Sequence, residues 1–444
     1  MGWTDARVRW RTAAGAILAA AVVVGPVAGP AVAEDTIRQQ QWHLESMHAP
    51  EMWKTSTGQG VTVAVIDAGF NLEHPDLAGQ FLPGKDFSGS TGGVGADSSG
   101  HGTGMASLIA GTGKGNGGTG AQGLAPGVKI LPLKFDNGSV GQGAMVSSTF
   151  LGQIGEAITY AADQGAKVIS ISQGMNAVVP LPEEVDKLKG VIAAARAKGV
   201  LIFASAGNEG QKGNPVEYPG ALPGVIAVGA TDQSGTVTDE SEHGPQVTFV
   251  APGNDMIAAC TSPTGYCKSH GTSDSTALAS AAAALVWSVH PEWTGNQVLR
   301  VLLNTAGKPK DGTSRTDYLG YGSVRPRIAL TTPGDPGPAD VFPLAVETAK
   351  PTAPAPSASA PVTSAVGAPP QSASGTPAAA PKADASSGSG GSTLPIVAGA
   401  AAALVVVAGA VFLLARRRKA AAVQPASFPP PPGYQPPVPP REHP

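Results

Sequence analysis

Val61-Thr62-Val63-Ala64-Val65-Ile66-Asp67-Ala68-Gly69 begins as an apolar, β-branched run and ends on a carboxylate followed by a glycine. A short apolar run without polar alternation suits a strand buried on both faces. Asp67 would then emerge where the strand ends and Gly69 lets the chain turn. Working outward, residues 128–133, 167–171, 200–204 and 225–228 repeat the pattern. Helical spacing separates them: Leu151, Ile154, Ile158 and Ala161 precede the third run, and Val185, Leu188, Ile192 and Ala195 precede the fourth. Strands alternating with helices predict an α/β fold, a parallel β-sheet with helices on both faces and functional residues at the carboxyl ends of strands. Residues 273–288 are alanine-rich and long enough for a core helix, and no repeat of solenoid period is evident.

The rest of the 444 residues reads differently. Only 14% of the chain is charged, against about 25% in an average globular protein, while glycine (59) and proline (41) are abundant. A net charge of −3 and 5% aromatic residues give no basic or stacking surface for nucleic acid. Arg7, Arg9 and Arg11 precede an apolar stretch that ends at Ala31-Val32-Ala33, so 1–33 reads as a secretory signal peptide. Residues 394–415 are apolar and uncharged, as long as a membrane-spanning helix, and Arg416, Arg417, Arg418 and Lys419 follow at once. Positive charge stays inside, which predicts a single-pass type I protein of the cell membrane with an extracytoplasmic domain and a cytoplasmic, proline-rich tail over 416–444. The predicted organisation is completed by an N-terminal extension over 34–60, a working domain over 61–330 and a Pro/Ala/Ser-rich disordered linker over 331–393.

Three separated segments carry chemistry. Asp67 closes the first strand, His101 stands in Gly100-His101-Gly102-Thr103-Gly104, and Ser273 stands in Gly271-Thr272-Ser273 at the start of the alanine-rich helix. Each alone has an ordinary structural explanation: a turn-capping acid, a structural histidine, an N-cap serine. Their chain order is that of one class of Asp/His/Ser triad. Together with Ser205-Ala206-Gly207-Asn208-Glu209, the segments resemble the subtilisin-like serine peptidases from residue 61 to about 306. The resemblance implies that Asp67 orients the imidazole, His101 is general base and then acid, Ser273 is the nucleophile, and the Asn208 amide donates to the oxyanion. A serine hydroxyl needs a base to become nucleophilic, and the imidazolium that results needs an anion behind it. The resemblance also marks Ser172, Gln173 and Gly174, with Ser205, Ala206 and Gly207, as the substrate-binding walls beside the residue before the scissile bond. No charged group stands out there, so a small or apolar side chain is expected. No cofactor and no metal are implied.

Within that group the chain is most similar to the mycosins, the membrane-anchored peptidases of type VII secretion systems. The carrying features are Arg38-Gln39-Gln40-Gln41-Trp42, the lack of room for a large propeptide, the proline-rich linker and the basic-flanked membrane helix. This implies protein or peptide substrates and partners in a type VII secretion complex. A scaffold with dispensable catalysis and a surface housekeeping peptidase are the alternatives. The chain departs from the family pattern at Ala68, Asp274 and Ala277. Asp274 either weakens an oxyanion site by repulsion or caps the helix and points to water. Cys260 and Cys267 would form a disulfide in an oxidising compartment, a metal site with His270 being the weaker alternative.

Overall fold

The computed structural model describes residues 35–135, 144–176 and 182–344. The signal peptide, the membrane helix and the tail expected from the sequence lie outside these residues. Among the described residues no helix is long and apolar enough to cross a membrane.

In chain order the strands are β1 (Thr62–Asp67), β2 (Lys85–Asp86), β3 (Lys129–Lys134), β4 (Val168–Ile171), β5 (Met175–Asn176), β6 (Leu201–Ser205), β7 (Glu217–Tyr218), β8 (Ile226–Thr231), β9 (Val247–Pro252), β10 (Met256–Ala259) and β11 (Tyr266–Ser269). The main helices are α1 (His101–Ala110), α2 (Ala144–Asp163), α3 (Pro182–Ala197), α4 (Thr272–Val289), α5 (Gly295–Thr305) and the short α6 (Pro326–Thr331). Seven strands form one sheet in the order β2-β3-β1-β4-β6-β8-β9, and all of its pairings are parallel. Two antiparallel pairs, β5 with β7 and β10 with β11, stand outside it.

The sheet is buried on both faces because its central strands are apolar at most positions. Along β1, Val63 and Val65 enter one core while Ala64 and Ile66 enter the other. The second core is covered by α2 and α3, through Ile154, Ile158, Leu188 and Ile192. Across the sheet lie α1, with Leu108 and Ile109, and α4, with Leu278 and Leu285. Ala279 and Ala281 through Ala284 on α4 are fully buried, as befits a helix that is apolar all round. This is the layered α/β architecture the alternation predicts. The sequence reading did not anticipate β9, whose Val247-Thr248-Phe249-Val250 carries a polar residue and runs into Pro252.

Residues at both edges of the expected working domain pack onto it. In the extension over 34–60, Leu44, Met47, Ala49 and Met52 belong to the same core as α4. Gln41 donates to the Gln122 and Ile257 carbonyls (3.0 and 3.3 Å) and accepts from Gln122 N–H at 2.9 Å. The Trp53 indole donates to Leu124 O at 2.9 Å. At the other edge, residues 331–344 of the expected linker are held on the domain. Arg300 donates to the carbonyls of Pro336, Pro338 and Val341 (2.7, 2.9 and 2.6 Å), and the Phe342 ring lies 3.6 Å from the Arg196 guanidinium. A guanidinium fork satisfies backbone carbonyls directly, so a proline-rich segment needs few apolar side chains to be ordered.

Asp76 ties the loop before β3 to the β10–β11 hairpin. Its buried carboxylate accepts from Gly115 N–H (2.6 Å), Ala121 N–H (2.9 Å) and the Tyr266 hydroxyl (2.8 Å). Replacing it strands three donors, and hydrogen bonds to a charged group are worth more than neutral ones. Asp76→Ala is therefore expected to lower unfolding free energy by about 3 kcal/mol or more. A urea midpoint unchanged from wild type would refute this.

Candidate functional site

At the carboxyl end of β1, the Asp67 carboxylate is fully buried and accepts from Ala68 N–H at 2.7 Å. Both of its oxygens lie 2.9 Å from Nδ1 of His101, the first residue of α1. The next residue must be glycine. A Cβ at Gly102 would stand 3.0 Å from Asp67 Cβ and would overlap the Gly69 carbonyl. A carboxylate on Nδ1 keeps the proton there and leaves the Nε2 lone pair facing outward.

Two consecutive residues after β4 join this pair to the start of α4. Ser172 and Ser273 are bonded reciprocally: Ser172 Oγ donates to Ser273 O at 3.1 Å, and Ser273 Oγ donates to Ser172 O at 3.0 Å. Gln173 sits on the Asp67–His101 pair, not on a pocket wall alone. Its Nε2 lies 3.2 Å from Asp67 Oδ1 and 3.1 Å from His101 Nδ1. The sequence reading missed this second role, because nothing local distinguishes a glutamine that reaches the next strand.

Asn208, exposed after β6, presents its Oδ1 to Thr272 N–H (2.9 Å) and Thr272 Oγ1 (3.0 Å). With its oxygen occupied by a backbone donor, its NH₂ group is left to face outward. Ser273 occupies the first turn of α4, where backbone N–H groups have no intrahelical acceptor.

Asp274 does not point to water: it is 1% exposed and accepts from the Ser269 hydroxyl. Burial pushes its carboxyl up to about 6, against smaller downward pulls from Ser269 and from the charge of His101. For His101, burial disfavours the charged ring, but the charge and hydrogen bond of Asp67, with Asp274 and Asp97 behind, prevail and push it up to about 9.

Cys260 and Cys267 are joined by a disulfide within the β10–β11 hairpin. His270 Nδ1 pairs with the Glu240 carboxylate at 2.9 Å instead of joining a metal site. Among the described residues no three His, Cys, Asp or Glu side chains are grouped to hold a metal ion. The motif reading also passed over two acids. Glu217 and Glu242 are remote in sequence from the wall segments, yet they lie against Gly174 and Gly207.

Comparison with known proteins agrees with this architecture. The family model described as the subtilase family matches residues 58–323. Subtilisin BL of Lederbergia lenta is 32% identical over 293 residues, covering 65% of this chain and 97% of that protein. Among solved structures, MycP1 from Mycobacterium smegmatis superposes with a TM-score of 0.61 at 26% identity, over 72% of this chain and 91% of that one. A chain of the periplasmic assembly from the ESX-5 inner membrane complex gives a TM-score of 0.58 at 28% identity, over 73% and 92%.

Because the folded value of His101 lies above its ordinary 6.5, its pairing contributes stability in full below about 6.5 and loses it as pH climbs through about 9. Removing the Asp274 charge lowers the folded value. Asp274→Asn is expected to shift the ascending, acidic limb of the pH profile of kcat/KM to lower pH, raising the rate near neutrality. A limb at the wild-type position would show that this carboxylate does not reach the imidazole.

Proposed function

The chain belongs to the subtilase family of serine peptidases, and from that premise we propose that it is a membrane-anchored extracytoplasmic endopeptidase whose triad is Asp67, His101 and Ser273. The observation that carries the reading is the buried Asp67 carboxylate on His101 Nδ1, tied through Ser172 and Gln173 to Ser273 at a helix start.

The geometry supports the following course. A peptide carbonyl binds with its carbon against Ser273 Oγ. The hydroxyl leaves the Ser172 carbonyl and gives its proton to His101 Nε2 as Oγ bonds to carbon. Asp67 stabilises the imidazolium, and the Asn208 amide with the Ser273 N–H receives the oxyanion. His101 then protonates the departing amine, and a water deprotonated by His101 releases the acyl group. Ser172, Gly174 and Ser205-Ala206-Gly207 flank the side chain before the cut, and Gln173 also steadies the Asp67–His101 pair.

The likeness to MycP1 and to a chain of the ESX-5 periplasmic assembly supports substrates that are secreted proteins and a place in a type VII secretion complex. Anchoring would come from residues 394–415, with the catalytic domain outside and 416–444 inside. The ESX-5 likeness also favours a second reading, in which the folded domain is a structural part of the assembly and hydrolysis is dispensable.

Labelling intact cells with a serine-reactive phosphonate separates these readings. The wild type should be labelled and Ser273→Ala should not. Ser273→Ala is expected to lose about 10⁶ in turnover, the loss known for a subtilisin nucleophile. Asn208→Ala should lose about 10² to 10³, as for the corresponding subtilisin amide. Secretion that persists in Ser273→Ala but fails when the whole protein is deleted would favour the structural role. An active Ser273→Ala protein would defeat the triad.

A further inference from the structure

The walls Ser172-Gln173-Gly174 and Ser205-Ala206-Gly207 contain no acid, yet each ends on a glycine whose missing side chain is replaced by a carboxylate from elsewhere. A Cβ on Gly174 would overlap Oε2 of Glu217, and one on Gly207 would overlap the carboxylate of Glu242. The two acids arrive by different routes. Glu217 lies in β7, which pairs with β5 immediately after Gly174. Glu242 is fixed by its own N–H, which donates to Gly207 O at 2.9 Å.

The carboxylates also sense each other. Burial first, and then the charge of Glu217, push Glu242 up to about 8, against a smaller pull from the Glu209 N–H. Burial and then Glu209 push Glu217 up to about 7. One acid therefore lies against each wall, Glu217 at Gly174 and Glu242 at Gly207.

Glu242 is fully buried, and the Glu209 N–H lies near its carboxylate without closing a hydrogen bond to either oxygen. Among the described residues no lysine or arginine pairs with either acid, and Lys212 pairs with Glu209 at 3.7 Å. A buried carboxylate without a partner is costly, and a cation that enters beside it removes the cost. No three metal-ligating side chains are grouped here among the described residues. The cation that fits is therefore one brought by the peptide. The methylene stem of such a side chain can lie along apolar backbone while its head reaches the acids.

We propose that this pocket selects lysine or arginine before the scissile bond, Glu217 receiving the cationic head and Glu242 supplying negative potential behind it. The inference rests on the peptidase reading and names its substrate class. It replaces the small or apolar preference expected from the wall segments alone.

The test uses the full-length protein and two peptide phosphonates identical except at the residue before the reactive phosphorus. One carries lysine and the other norleucine, which has a similar chain without the ammonium. At pH 8 the lysine probe should label Ser273 faster by about tenfold or more. In Glu217→Gln the ratio of the two rates should fall to near one, and in Glu242→Gln it should fall several-fold. Reading a ratio within each variant cancels any general loss of activity. Glu242→Gln also guards against misfolding of Glu217→Gln, since a neutral side chain at a buried, unpaired site should melt no lower than wild type above pH 8. Equal labelling of wild type by the two probes, or a wild-type ratio retained in both folded variants, would overturn the proposal. A folded wild type that neither probe labels would overturn the peptidase reading itself.

Discussion

A helix buried from its first residue must place its opening N–H groups somewhere other than water, and α4 meets that requirement at the functional site. Residues 272–287 are buried, so none of the donors in the first turn is fully solvated. The Gly271 N–H reaches Gly253 O at 2.7 Å, and the Thr272 N–H reaches the Asn208 side chain at 2.9 Å. The donors that remain face the cleft. Satisfying one end of a core helix thus orients Asn208, positions Ser273 and leaves a polarised edge where negative charge is welcome.

The fold was legible because its physical cause is local. Five of the seven sheet strands announce themselves as short apolar runs, and Leu188 and Ile192 reveal their helix by spacing. β9 was hidden by Thr248 and Pro252, and β2 is too short to carry a pattern. The site was legible in part for a similar reason: Asp67, His101, Asn208 and Ser273 stand in glycine-rich motifs that few other constraints produce. Glu217 and Glu242 were not legible. A buried acid and a solvated one look alike in sequence, and only β5–β7 pairing and the turn at Gly207 bring these two to the walls. Asp274 was half legible: its place in the first turn was evident, but its burial against Ser269 depends on the hairpin before it.

Acid groups dominate the cleft although the whole chain carries a net charge of only −3. Asp67, Asp97 and Asp274 push His101 up against the opposing effect of burial, while Glu217 and Glu242 lie against the neighbouring walls. Their effects differ because their partners differ. Asp67 has a ring N–H to meet it, whereas Glu242 has no such partner and is pushed up to about 8 by burial and then by the charge of Glu217. The same residue class therefore serves as fixed charge in one place and as unspent potential in another.

The topology has a consequence for the order of events as the chain emerges. The groups of the site come from β1, α1, the end of β6 and the start of α4, spread over most of the domain. The helix bearing Ser273 packs on strands that all precede it, and the parallel sheet requires each crossover to be complete before its partner strand can dock. A partly emerged chain therefore holds Asp67 and His101 before it holds the serine hydroxyl that they face in the complete domain. Latency during synthesis is inherent in the connectivity, and it lasts until the final third of the domain has folded.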